Sequence, residues 1–210
     1  MIAIIDYNMG NLASVQNAFA KLGEDTVVES NPEKFSSYDK LVLPGVGAFG
    51  DAMEHLREMQ MIEAIREFAA SGKPMLGICL GMQLFFESSE EFGFHAGLGL
   101  IKGNVTHFDA DKFEEKLKIP HMGWNRVFTK EHPLFVGLDD EYCLYFVHTY
   151  HVNCADENDI LGETYYGYKF TSAVAHENIM GIQSHPEKSH KNGLKILENF
   201  IMNTPKIAKN

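Results

Sequence analysis

The stretch that decides the fold is Gly77-Ile78-Cys79-Leu80-Gly81-Met82-Gln83, in which one cysteine stands between two glycines. An apolar run precedes the cysteine and an amphipathic one follows it. This pattern predicts a strand over residues 74–78, a tight turn that tolerates only small neighbours, and a helix directly afterwards. The thiol of Cys79 would project at the helix N-terminus, where the dipole and free N–H groups favour the thiolate. A small buried cysteine fits the same pattern, so the stretch alone does not decide between catalysis and packing.

A histidine and a carboxylate near the other end of the chain supply what a thiol nucleophile needs. They occur in Gly181-Ile182-Gln183-Ser184-His185-Pro186-Glu187-Lys188. His185 would take the thiol proton, and Glu187 would hold the imidazole in the right tautomer and stabilise its cationic form. Pro186 keeps the segment out of a helix. An isolated His-Pro-Glu is more often a turn with two solvated side chains, and only its combination with the cysteine turn favours a catalytic triad.

The composition is that of a soluble globular protein, since 210 residues with 45% hydrophobic and 22% charged side chains suffice for one core. A net charge of −11 argues against a nucleic-acid surface, which needs a basic footprint. Cys79, Cys143 and Cys154 are widely spaced and odd in number, which suits a reducing compartment. The N-terminus lacks signal-peptide regions, and no apolar run approaches the roughly 20 residues that cross a bilayer. We therefore expect a cytoplasmic protein that binds neither membrane nor nucleic acid.

Apolar runs alternate with helix-period segments in the first half of the chain, which predicts crossover connections and parallel strands. In the second half, strands joined by short turns predict antiparallel additions. We expect one α/β domain over residues 1–203, with a mixed, mostly parallel central sheet flanked by helices, and a frayed tail over residues 204–210. The predicted strands are residues 2–6, 26–29, 40–43, 74–78, 98–108, 124–128, 144–152, 160–166 and 170–183. The predicted helices are residues 11–22, 51–70 and 192–202.

Five motifs occur together and in order along the chain. They are the 77–83 stretch, Pro44-Gly45-Val46-Gly47, His121-Met122-Gly123-Trp124-Asn125, Tyr145-Phe146-Val147-His148-Thr149-Tyr150 and His185-Pro186-Glu187-Lys188-Ser189. In these motifs the chain resembles the class I glutamine amidotransferases, and more narrowly the glutaminase subunits of imidazole glycerol phosphate synthase, over residues 2–202. One departure is Ser184, which stands where that family usually has a bulky aromatic residue. It bears on the packing behind His185 rather than on the chemistry.

The resemblance implies hydrolysis of L-glutamine to glutamate and ammonia through a γ-glutamyl thioester. The implied catalytic residues are Cys79, His185 and Glu187. Negative charge that builds on the carboxamide oxygen needs waiting donors, and the candidates for this oxyanion hole are Val46, Gly47 and Leu80. The family holds the amino-acid head of glutamine at positions that correspond to Gln83, His148, Thr149 and Tyr150. Its face toward the synthase corresponds to Asn11, Trp124, Tyr145 and Lys188.

The implied partner is a (β/α)₈-barrel synthase subunit, which forms a heterodimer with the glutaminase and uses its ammonia. In the family, the loop at residues 45–47 is thought to complete the oxyanion hole only when the synthase site is occupied, which makes Val46 a candidate switch. Two alternatives remain open from the sequence. One is a paralogous glutaminase that feeds a sugar amidotransferase in surface-polysaccharide synthesis, and the other is a stand-alone cysteine hydrolase without an obligate partner.

We expect no metal and no cofactor. His148 and His151 invite a metal-binding interpretation, but in a single strand residues three apart point to opposite faces, which argues against a shared ion. The acidic run Glu87-Ser88-Ser89-Glu90-Glu91 is better explained as a solvated helix end than as a carboxylate cluster.

Overall fold

The architecture is a large mixed β-sheet with helices on both faces, seen in a computed structural model that describes residues 1–204. In this part of the chain the strands are β1 Ile2–Ile5, β2 Thr26–Glu29, β3 Lys40–Gly45, β4 Met75–Cys79, β5 Phe86–Ser89, β6 His95–Ala96, β7 Ile101–His107, β8 His121–Thr129, β9 Tyr142–His148, β10 Tyr150–Cys154, β11 Ile160–Tyr166, β12 Tyr168–His176 and β13 Ile179–Ile182. The α-helices are α1 Leu12–Lys21, α2 Phe49–Glu58, α3 Met61–Ala70, α4 Leu80–Leu84 and α5 His190–Asn203.

The centre of the sheet is parallel and its second half is largely antiparallel, which confirms the predicted α/β fold. Strands β2, β1, β3, β4 and β13 lie side by side in that order and run parallel. Beyond β13, the antiparallel strands β12, β10 and β7 follow, and β8, β9 and β11 form an antiparallel extension. Every residue of β1 and β4 is buried, because crossover helices cover both faces of a parallel sheet.

Each face of the sheet has its own apolar core. Helices α2 and α3 cover one face, where Phe49, Leu56 and Phe68 are buried. Helices α1 and α5 cover the other, where Phe19 and Phe200 are completely buried. The carboxyl ends of β3 and β4 therefore sit between two packed layers, on a rigid support.

The helix predicted over residues 51–70 is two helices. Helix α2 ends at Glu58, and Gln60 adopts a left-handed backbone with φ 56° before α3 begins at Met61. The apolar spacing continues through the break, and neither glycine nor proline marks it. Periodicity alone therefore could not reveal that the chain changes direction here.

Two long strands predicted in the second half are also interrupted. The strand over residues 144–152 breaks at Thr149, between β9 and β10, and the strand over residues 170–183 breaks between β12 and β13 at a turn through Glu177, whose φ is 51°. The acidic run is not a helix end either. Helix α4 is only five residues long and ends before the run begins. Residues Phe86–Ser89 instead form the strand β5, which pairs in parallel with β7.

Thr204, the first residue of the predicted tail, packs against the folded domain. Thr204 is buried, and Nζ of Lys40 donates to its Oγ1 at 3.1 Å and to the carbonyl oxygens of Phe200 and Ile201 at 2.6 and 2.7 Å. The lysine thus caps the last turn of α5. The rest of the predicted tail, residues 205–210, lies outside the described residues. Among residues 1–204, no helix is long and apolar enough to cross a membrane.

Candidate active site

Cys79 stands at a strained turn between β4 and α4, as the sequence predicts. It has φ 55° and ψ −113°, a backbone conformation that residues other than glycine rarely adopt and that costs about 1 to 3 kcal/mol. Only 7% of the residue is exposed. The helix that follows has five residues, so it supplies fewer aligned peptide dipoles than the sequence pattern indicates.

The two glycines of the 77–83 stretch are required by close backbone approach. A Cβ at Gly81 would lie 1.8 Å from the carbonyl oxygen of Leu43, on the neighbouring strand β3. A Cβ at Gly77 would lie 2.5 Å from the ring of Phe85 and 2.7 Å from the backbone nitrogen of Met82. Any side chain at these positions would push the turn away from the sheet, and Cys79 with it.

Strand register brings His185 and Glu187 to Cys79 from the far end of the chain. β13 pairs in parallel with β4, with Ile182 opposite Ile78, so the segment after β13 leaves the sheet beside the cysteine. The backbone N–H of His185 donates to Tyr145 at 2.8 Å. The Ser189 hydroxyl then ties the segment down, because it donates to the His185 carbonyl at 2.6 Å and accepts from the Tyr145 N–H at 2.9 Å.

The His185 ring is held between a carboxylate and the thiol. Its Nδ1 lies 2.8 Å from Oε1 of Glu187, and both side chains are almost fully buried. Because Nδ1 is hydrogen-bonded to Glu187, Nε2 is the ring nitrogen that can bond to the sulfur of Cys79. Burial lowers the pKa of the imidazole, but hydrogen bonds to Cys79 and Glu187, together with their negative charges, outweigh it and raise the pKa to about 9. The structure thus favours an imidazolium beside the sulfur at neutral pH.

The triad opens into a cavity of 310 Å³. The cavity is lined by Val46, Gly47, Cys79, Leu80, Gln83, Glu91, Pro120, Val147, His148, Thr149, Tyr150, His185 and Lys188. All of the residues predicted for the oxyanion hole and the glutamine pocket are among them. A larger depression of 530 Å³ lies between α3 and the segment around Phe35, and neither cysteine nor histidine lines it.

The loop at residues 45–47 lies directly beside the nucleophile. β3 and β4 are in parallel register with Gly45 opposite Cys79, so the chain leaves β3 at the level of the sulfur. Gly47 has φ 96°, which favours glycine, and Val46 is 41% exposed. Tyr7 anchors the start of this loop, since its buried hydroxyl donates to the Pro44 carbonyl at 2.9 Å. The loop therefore has one fixed end and one exposed end.

Gln83 joins the cavity wall to the strand that carries Tyr150. Its Nε2 donates to the Tyr150 carbonyl at 3.0 Å and to Oε1 of Gln183 at 2.9 Å. Both amide hydrogens are thereby used, which leaves Oε1 of Gln83 as its remaining hydrogen-bonding atom. His148 also donates to the Tyr150 carbonyl, at 2.8 Å from Nδ1, and this fixes the tautomer of its ring.

His148 and His151 do not lie on opposite faces of one strand, so that prediction is wrong. Because the chain breaks at Thr149, both rings lie against Phe108, with centroid separations of 5.2 and 4.9 Å. Each ring already has a hydrogen-bond partner, His148 with His121 at 2.9 Å and His151 with the Tyr168 hydroxyl at 2.9 Å. Among the described residues, no cluster of three histidine, cysteine or acidic side chains has the arrangement of a metal site.

Glu91 is a cavity residue that the sequence interpretation missed. Its Oε2 accepts from the N–H of Phe49 at 2.7 Å, at the start of α2. Burial raises the pKa of this carboxyl and the charge of Asp51 adds to the rise, while the Phe49 N–H opposes it. An acidic run interrupted by serines gives no sign that one member turns inward.

The four residues predicted to face a partner differ in their surroundings. Trp124 is 48% exposed, stacks on His190 at 5.0 Å with an 8° angle between the rings, and meets Tyr145 edge-on at 6.0 Å. Lys188 is exposed and lines the cavity. Asn11 caps α1, where its side chain accepts from the N–H of Ser14 at 3.3 Å.

A fold with a cysteine elbow on β4 and a histidine–glutamate pair after β13 defines a class of protein. Residues 3–204 match the family described as glutamine amidotransferase class-I, and the chain belongs to that family. Solved structures agree on the fold: PurLQS from Thermotoga maritima has a TM-score of 0.75 at 18% identity, covering 95% of this chain and 96% of that one. A second, described as a glutamine amidotransferase, has a TM-score of 0.73 at 16% identity, covering 96% and 100%.

Relatives with higher sequence identity show which group within this family the chain belongs to. The imidazole glycerol phosphate synthase subunit HisH of Sulfurimonas denitrificans is 78% identical over 200 residues, which cover 95% of this chain and 97% of the relative. The HisH subunit of Wolinella succinogenes is 56% identical over 201 residues, covering 95% and 98%. Within the class I glutamine amidotransferases, this chain therefore belongs to the HisH family.

Proposed function

We propose that this chain is the glutaminase subunit of imidazole glycerol phosphate synthase and supplies ammonia for histidine biosynthesis. The observation that carries the proposal is the buried pair of His185 and Glu187 next to Cys79, at the base of a cavity of 310 Å³. Full-length similarity to HisH subunits supports the same reaction. A cytoplasmic location is part of the proposal, in keeping with three free cysteines among the described residues.

The first half of the reaction forms a thioester. The Cys79 thiolate attacks the carboxamide carbon of glutamine, and a carbon–sulfur bond forms as the carbonyl π-electrons move onto oxygen. The His185 imidazolium then gives its Nε2 proton to the departing nitrogen, so that the carbon–nitrogen bond breaks and ammonia leaves. Glu187 keeps the ring oriented throughout, because its bond to Nδ1 holds the other proton in place.

The second half of the reaction releases glutamate. His185, now neutral, takes a proton from water, and the oxygen attacks the thioester carbon. The carbon–sulfur bond breaks and the thiolate returns to its place beside the imidazolium. In both halves negative charge builds on the same oxygen, and the N–H groups of Leu80 and of the 45–47 loop are the candidates to stabilise it. Each such donor is worth about 10²- to 10³-fold in rate.

The cavity wall suits the amino-acid head of glutamine. An α-ammonium group has three donors and no acceptor, and the wall offers two acceptors for it, Oε1 of Gln83 and the carboxylate of Glu91. His148, Thr149 and Tyr150 also line the cavity, and their backbone offers further polar groups. We assign these groups to substrate binding, with Glu91 added to the residues that the sequence indicates.

The partner that we propose is a (β/α)₈-barrel subunit, bound as a heterodimer over the surface around Trp124. Support comes from exposed apolar side chains beside the cavity, Met122 at 61% and Trp124 at 48% exposure. A free ammonia generator would waste glutamine. A loop with one anchored end at Tyr7 and an exposed Val46 can respond to a partner, and one oxyanion donor corresponds to about 2.7 to 4 kcal/mol.

Steady-state glutamine hydrolysis by the purified chain, alone and with a barrel subunit and its nucleotide ligand, tests the proposal. We expect low activity alone and activation of about 10²- to 10³-fold in the complex. Full activity of the isolated chain would contradict the proposal and favour the stand-alone hydrolase. Activation by a sugar amidotransferase but not by the barrel would favour the polysaccharide paralogue, which the HisH relatives disfavour.

A further inference from the structure

Gln183 occupies a position that neither the triad nor the glutamine pocket uses. It follows β13 directly, and since Ile182 lies opposite Ile78 in the parallel register, Gln183 lies beside Cys79. Its backbone N–H donates to the Ser172 carbonyl at 2.9 Å, and the residue is completely buried. A buried amide needs partners for its polar atoms, and one of the partners here is the nucleophile.

The orientation of the Gln183 amide follows from a backbone carbonyl. The Tyr150 oxygen can only accept, so the atom of Gln83 that lies 3.0 Å from it must be the nitrogen. That nitrogen lies 2.9 Å from the Gln183 side chain, which must therefore present its oxygen to Gln83. The remaining atom of the Gln183 amide is Nε2, and it lies 3.7 Å from Sγ of Cys79. No choice of amide rotation is left open.

We propose that Gln183 donates a hydrogen bond to the Cys79 thiolate, stabilising its charge and holding the sulfur in place for attack. A donor to an anion forms a stronger bond than a donor to a neutral thiol, so the contact favours the ionised form. Gln83 fixes the donor in turn, which makes Tyr150, Gln83 and Gln183 one line of hydrogen bonds ending at the sulfur. This inference rests on the proposed function only in taking Cys79 as the nucleophile.

The pH dependence of Cys79 alkylation tests this contact without glutamine and without a partner. Iodoacetamide reacts with the thiolate, and peptide mapping separates Cys79 from Cys143 and Cys154. In Gln183→Leu the donor is lost, and we expect the pH at which Cys79 alkylation reaches half its maximal rate to rise by about one unit. At pH values below this midpoint, alkylation should then be about tenfold slower than in the wild type. In Gln183→Glu a carboxylate oxygen faces the sulfur at unchanged volume, and we expect a larger rise.

Asn199→Leu is the matched control, because Asn199 is also a buried amide, with Nδ2 donating to the carbonyls of Leu134 and Val136 at 3.0 and 2.8 Å. We expect it to lower the melting temperature without moving the alkylation profile. An unshifted profile in either Gln183 variant would overturn the inference, and Gln183→Glu keeps the test valid if Gln183→Leu does not fold. If wild-type Cys79 labels no faster than an ordinary thiol, both the proposed function and this inference are contradicted.

Discussion

The Nδ1 atom of His185 lies 2.8 Å from Oε1 of Glu187, and the two side chains retain only 4% and 2% of their exposure. A charge pair this deeply buried is stable only if it is well oriented, because desolvation opposes it. The orientation comes from the strand register and from Ser189, which bonds the backbone on either side of the site. Several consequences can be measured.

His185 and Glu187 should differ in how much catalysis depends on them. Glu187→Ala removes the orientation of the ring but keeps the base, and we expect thioester formation to slow by about 10²- to 10⁴-fold, with a greater loss in His185→Ala. Rapid-quench measurement of the first turnover checks this. His176→Ala is the control, because the half-exposed His176 forms a pair of the same 2.8 Å length with the buried Asp159, and neither residue lines the cavity. Equal turnover in wild type and His185→Ala would refute the triad.

Acid should destabilise the fold through two buried histidines. Burial lowers the pKa of His121 to about 4 and that of His148 well below its usual range. Between pH 6.5 and 4 the unfolded chain takes up protons that the folded chain does not, so the free energy of unfolding falls as the pH drops. We expect His121 to account for about 2 kcal/mol between pH 7 and 4.5.

The variant His121→Phe tests this, since His121 stacks between Phe146 and Tyr166 at 4.8 and 4.1 Å, where an aromatic ring fits. Chemical denaturation at a series of pH values should show a shallower loss of stability in the variant over this window. The same slope in both proteins would mean that His121 is not buried in its neutral form.

Gly81 should be intolerant of the smallest side chain. Its Cβ would meet the Leu43 carbonyl at 1.8 Å, and we expect Gly81→Ala to cost about 3 kcal/mol in the free energy of unfolding. Gly10→Ala is the control, because its Cβ would find ordinary contacts of 3.4 Å, and we expect a change within about 0.5 kcal/mol. The midpoints of urea denaturation of the two variants test this prediction. Similar midpoints would contradict the close approach of α4 to β3.

Trp124 should matter for activation more than for folding. We expect Trp124→Ala to weaken activation by the barrel subunit about tenfold or more, as a buried aromatic at an interface does, with little change in melting temperature. Phe128→Ala is the control, since Phe128 lies on the same strand with 51% exposure and stacks on Arg126, roughly 13 Å farther along. An equal loss of activation in both variants would mean that Trp124 does not transmit the effect of the partner.

The sequence predicts the parts of the site that depend on local chemistry. The glycines around Cys79 indicate a tight turn, and the proline between His185 and Glu187 indicates a non-helical segment. In the structure both glycines are closely approached by neighbouring atoms, and His185 is hydrogen-bonded to Glu187. The breaks at Gln60 and Thr149 could not be predicted, because neither residue is a turn former and the apolar pattern runs through both. Tertiary contacts impose those conformations.

The polar residues that turn inward were harder still to predict. Glu91 lies in an acidic run that looks solvated, and only the strand pairing of β5 with β7 brings it to the cavity. Gln183 lies two residues before His185, and its contact with Cys79 depends on the register of β13 against β4. Side chains whose role depends on long-range register leave no signal in a single sequence.

The most direct test of the account is to trap the covalent intermediate. Acid quenching of the activated complex during turnover of glutamine, followed by peptide mass spectrometry, should find a glutamyl adduct on Cys79, and Cys79→Ala should release no ammonia from glutamine. Cys154 is a poor competitor, because burial raises the pKa of its thiol to about 12. An adduct on Cys143 or Cys154, or ammonia release by Cys79→Ala, would contradict the assignment of Cys79 as the nucleophile.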